Sequence, residues 1–75
     1  MRLEAFTMER DILQVGDEVD VTESRLPRAG YYTAEPAAAM SGNYSSNERI
    51  RSTKGIVRKK ELNGATWTVY IEFEE

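Results

Sequence analysis

Nine residues carry the chemistry this sequence has to offer: Arg25, Arg28, Tyr31, Tyr32, Tyr44, Arg49, Arg51, Arg58 and Lys60. Guanidinium and ammonium groups bind phosphate, and a tyrosine face stacks a nucleobase. Cations interleaved with aromatics are therefore the composition of a surface for single-stranded nucleic acid. The competing reading is simpler. It gives one tyrosine to the core, a second to the cover of a loop, and the arginines to acidic neighbours. The same residues then form part of a surface for another protein.

Other chemistries find little support. The chain has no histidine and no cysteine, which removes Cys/His zinc sites, disulfides and Ser-His-Asp catalysis. Ser41, Ser45, Ser46 and Ser52 have no histidine to activate them. The carboxylate pairs Asp17-Glu18, Glu72/Glu74 and Glu74-Glu75 flank a turn or lie at the terminus, without an opposing group, and read as solvated charge. "DEVD" sends its acids to alternate faces of a strand and cannot chelate. Glycine-rich phosphate loops are absent from the sequence. The expectation is a non-enzymatic protein with no cofactor and no metal. No apolar run approaches the roughly 18 residues of a membrane span, and "MRLEAFTMERD" does not resemble a signal peptide. The lack of cysteine fits the cytoplasm.

Net charge is -3, but it is unevenly placed. Residues 23–60 hold eight cations against three acids, whereas residues 1–22 and 61–75 are both acidic. Such asymmetry marks an anion-binding face, or acidic strands lying beside basic ones and pairing with them. The second reading is favoured.

These side chains need strands to hold them. "ATWTVYIEF" alternates, with Trp67, Val69, Ile71 and Phe73 on one side, the period of a half-buried strand. Asn63-Gly64 before it signals a hairpin. A two-residue Asn63-Gly64 loop would set Arg58 and Lys60 on the core face, where an unpaired charge is costly. A three-residue loop, Leu62-Asn63-Gly64, instead pairs Val57 with Val69 and exposes Arg58 and Lys60, with Lys59 opposite Trp67. Burial therefore selects the three-residue loop. "VGDEVDVTE" is a second strand, its Val19 and Val21 sharing the parity of Val15, launched by a Gly16-Asp17 turn. "ERDILQ" is expected to form one helical turn, with Ile12 and Leu13 plugging a core. "RLEAFTM" reads as a strand, though a helical face of Leu3, Phe6, Arg10 and Leu13 is also available. "GYYTA" is a short strand. "TAEPAAAMSG" reads as a short helix, "NYSSNE" as a turn, and "RIRSTKGIVRK" as a strand kinked at Gly55.

"VGDEVDV" and, further on, "KGIVRKKELNGATWTVYIEF" resemble an SH3-like barrel, in which a Gly-Asp turn opens the first strand and a Gly-x-Val strand, a hairpin and a closing strand complete the sheet. The matching positions are Gly16, Asp17, Gly55, Val57, Val69 and Phe73. The aromatic motif and tryptophan pair of proline-peptide-binding SH3 domains are missing, so the resemblance is to the bacterial-type barrels. It implies one mainly β domain over residues 1–75, a small barrel of about five short strands with a short helix in the central loop. The function expected is a binding or accessory module for an unidentified protein partner, with weak nucleic-acid binding as the alternative.

Overall fold

The computed structural model describes residues 1–25, 29–35, 39–42, 44 and 49–75. Alternating apolar and polar residues form six antiparallel strands: β1 (Arg2–Met8), β2 (Glu18–Arg25), β3 (Gly30–Glu35), β4 (Ala39–Ser41), β5 (Lys54–Asn63) and β6 (Thr66–Phe73). They close into a barrel in the order β1-β4-β3-β2-β5-β6, six strands where about five were expected. No helix forms among the described residues, so none there is long and apolar enough to cross a membrane.

Each strand sends every second side chain inward. Phe6 and Met8 of β1, Val19 and Val21 of β2, and Val69, Ile71 and Phe73 of β6 are buried together. The Phe6 and Phe73 rings pack at 6.3 Å, tilted by 40°. The helix expected over "TAEPAAAMSG" is corrected by this packing. Thr33–Glu35 ends β3 and Ala39–Ser41 is β4, paired as Thr33↔Met40 and Ala34↔Ala39. Ala34 and Ala39 are buried, so these alanines serve close approach of strands rather than helix propensity. Residues 36–38 of that stretch lie outside the described residues, as do Arg28 and, Tyr44 apart, the turn expected over residues 43–48.

The connection between β1 and β2 is also not helical. Its end is a turn in which Asp17 N donates to Gln14 O at 3.0 Å and Gly16 takes φ 98°, the left-handed value a type II turn needs at its third residue. Asp17 Oδ2 accepts from Gln14 N, fixing the turn from its other side. Leu13 is buried and donates its N–H to Met8 Sδ at 3.3 Å; Ile12, expected beside it in the core, is exposed.

The β5–β6 hairpin differs most from expectation. Asn63 pairs with Thr66, so the loop is Gly64-Ala65, with Gly64 at φ 63°. Gly-X is the sequence of a type II′ turn. Val57 consequently faces Ile71, not Val69. A bulge then inserts Arg58 between the pairs Val57↔Ile71 and Lys59↔Tyr70. Arg58 and Lys59 both face solvent, while Lys60 falls opposite Val69 on the inner side. Its side chain is only 15% exposed, which overturns the expectation that Lys60 is exposed. Lys59 lies over Tyr70 rather than Trp67.

Candidate interaction surfaces at the barrel ends

In an antiparallel barrel the connections alternate between two ends. The segments after β2 and β4 lie at one end, together with the start of β1. The segment after β1 and the β5–β6 turn lie at the other.

The first end gathers much of the predicted basic and aromatic set. Arg25 closes β2, Tyr31 and Tyr32 open β3, and Tyr44 bridges to Gly30. Arg49 and Arg51 belong to the segment leading into β5. The hydroxyls of Tyr32 and Tyr44 are occupied. Tyr32 is buried; its hydroxyl accepts from Ile50 N at 2.8 Å, with Ile50 O at 3.0 Å and Glu23 Oε2 at 3.1 Å. Tyr44 meets the Tyr32 ring edge-on at 5.7 Å and donates to Glu4 Oε1 at 2.8 Å. Burial, then that bond to Glu4, pushes the Tyr44 hydroxyl far above its ordinary value. Arg2 bonds Glu4 and stands over the Tyr44 ring at 5.7 Å. Glu23 accepts from Arg49 Nε and Nη2, at 2.8 and 2.7 Å. Glu75 Oε1 accepts from the backbone amides of Arg51 and Ser52 at 2.9 and 2.8 Å. Only Arg25 and Arg51 of this group have no carboxylate within ion-pair distance among the described residues.

Arg58 and Lys60 do not join that end. Arg58 pairs with Glu72 across the β5–β6 ladder at 3.0 Å, and Lys54 pairs with Glu18 and Asp20 of β2. Acidic strands thus neutralise basic ones, as the simpler reading of the charge pattern held.

Lys60 lies at the second end, with residues the sequence did not single out for function. Its Nζ bonds Asp11 Oδ1 at 2.5 Å and Gln14 Oε1 at 2.8 Å, and stands 4.8 Å above the Trp67 ring. The inward cation is therefore paired from both sides. Leu62 faces Trp67 on the same side of the hairpin and is 60% exposed. Ile12 and Val15, in the loop that supplies Asp11 and Gln14, are 49% and 60% exposed. Trp67 itself is half-buried, against the expectation of a core ring. We therefore expect Trp67→Ala to cost about 1–2 kcal/mol, below the 3–5 typical of a fully buried aromatic, measurable as a denaturant midpoint shift.

Three carboxyls at these ends have depressed pKa values. The Lys60 ammonium lowers Asp11, and the Arg49 guanidinium, helped by Tyr32, lowers Glu23. Burial alone would raise Glu75, but the Ser52 and Arg51 amides and Arg2 outweigh it and lower it. Below the unfolded values of 3.8 for Asp11 and 4.5 for both glutamates, the unfolded chain binds more protons than the folded one. Their contribution is complete above those values and is lost as the pH falls through the lower folded ones. Thermal melts should therefore show Tm falling between pH 5 and pH 3. In Glu23→Gln and Glu75→Gln variants that fall should be shallower.

Comparison with protein-family models, curated proteins and solved structures finds no match.

Proposed function

We propose that the protein is a small non-enzymatic binding module, of the SH3-like kind and cytoplasmic, which contacts another protein through the barrel end around Trp67. One observation carries this reading: Ile12, Val15 and Leu62 are exposed at the end where Trp67 is half-buried. A half-buried tryptophan opposite an exposed leucine, at an end that also exposes two aliphatic loop residues, has the composition of an interface centre.

The test is capture from a lysate of the source cell, with the parent and an Ile12→Asp/Leu62→Asp variant as baits. Both positions are exposed, so the variant should fold. The proposal predicts a captured protein that the variant loses. Equal capture by both baits would overturn it.

A nucleic-acid reading rests on Arg25 and Arg51, which hold no carboxylate at ion-pair distance among the described residues, although the Arg25 charge helps to lower Glu23, and which share an end with Tyr31. It predicts binding of labelled single-stranded RNA at low salt that falls steeply as salt is added, and that Arg25→Glu/Arg51→Glu abolishes. No binding by the parent would remove it.

A further inference from the structure

The free edge of β5 points to a second copy of the chain as its occupant, and we propose that two copies join there antiparallel about a twofold axis. This rests on the reading of the protein as an interaction module and names its partner. β2 pairs with β5 only from Lys54 to Ile56. Gly16 N and Asp17 O then take the Val57 carbonyl and amide. Beyond Val57, no described backbone group hydrogen-bonds to the side of β5 turned away from β6.

The hairpin register says which groups are open. The pair flanking a two-residue loop exchanges both its hydrogen bonds, and such pairs alternate along an antiparallel ladder. Asn63, Glu61 and Lys59 therefore bond to Thr66, Thr68 and Tyr70. Lys60 and Leu62 turn their N–H and C=O outward. These two residues are two apart, so a twofold that sets Lys60 opposite Leu62 of the second copy, and the reverse, satisfies all the outward groups with four hydrogen bonds. Pairings of this kind are isologous and closed.

Side chains fit the same register. It sets Lys59 beside Asn63 of the second copy. Asn63 Nδ2 is already committed to Thr68 Oγ1 at 2.9 Å, which leaves its carbonyl oxygen to accept from the incoming ammonium. Leu62 lies against the stem of Lys60 from the other copy, while that ammonium stays with Asp11. Inward lysines and bulges commonly protect free edges. Here the bulge at Arg58 bounds the open segment instead of interrupting it, and the Lys60 charge is already matched. Those features confine pairing to Lys59–Asn63 and so to a finite dimer. One contact is unfavourable: Glu61 meets Glu61 on the axis, each with its own Lys59 at 2.8 Å.

The test is sedimentation equilibrium from about 10 µM to about 1 mM, where so small an interface associates. The parent should rise from the chain mass towards twice that value. Leu62→Pro removes an edge N–H that β6 does not use and should stay monomeric. Glu61→Gln relieves the like-charge pair and should lower the dimerisation midpoint severalfold. A parent monomeric at about 1 mM, or Glu61→Gln leaving the midpoint unmoved, would overturn the proposal. Lysate capture lost on Ile12→Asp/Leu62→Asp would then stand, and would assign the edge to a different protein.

Discussion

Phe73→Ala is expected to unfold most of the protein at room temperature. Phe73 is completely buried, its ring tilts against Phe6, and β6 hands it to the end of the barrel where Arg2 pairs with it. Emptying such a site costs about 3–5 kcal/mol. A domain of this length has roughly 4–11 kcal/mol in total, and small barrels sit at the low end because so much of their surface stays wet. Circular dichroism in urea should show the midpoint collapse towards zero denaturant. Little change from parent would mean that the core is not centred on the Phe6–Phe73 pair.

Gly55→Ala is expected to be nearly as damaging, although it adds a single methyl. A Cβ at Gly55 would stand 2.5 Å from Ile71 Cγ2, 2.8 Å from Phe73 Cε1 and 3.0 Å from Glu72 O. Both side chains are fully buried and the third neighbour is backbone, so nothing can give cheaply. Replacing glycine elsewhere gains about 0.4–1 kcal/mol from the unfolded chain, but overpacking costs about 1–3, and here the clash wins. Gly55 is where β5 leaves β2 for β6, and the missing side chain lets β5 cross close over β6. A Gly55→Ala protein as stable as parent would show that β5 does not pass so near Ile71.

Much of the barrel was legible because period-two alternation survives in β1, β2, β3 and β6, and the charge blocks foretold pairs such as Arg58–Glu72. The hairpin register was not. That no cation faces inward unpaired is sound physics. Lys60 nevertheless turns inward, because its partners Asp11 and Gln14 come from far away in the chain. Asn63-Gly64 misled in a related way: the asparagine is the last ladder residue, and only the glycine belongs to the loop. The alanine run failed for want of tertiary context, since helix propensity yields where small side chains are needed between strands. Of the nine candidate residues, the topology collects Arg25, Tyr31, Tyr32, Tyr44, Arg49 and Arg51 at one end and leaves Arg58 and Lys60 elsewhere; Arg28 lies outside the described residues. Exposed Leu62, Ile12 and Val15 gave no signal, because isolated aliphatic residues in a loop and at a hairpin tip look ordinary.

The surface at the Trp67 end depends on the register that turns Lys60 inward and leaves the β5 edge open. Amide hydrogen exchange read by NMR in dilute protein tests it residue by residue. The amides of Lys59, Glu61 and Asn63 should be protected by β6, while those of Lys60 and Leu62 exchange at rates near those of an open chain. Fast exchange at Asn63, which a three-residue Leu62-Asn63-Gly64 loop would leave outside the ladder, or protection of Lys60 and Leu62, would contradict the register, and with it the surface built on it.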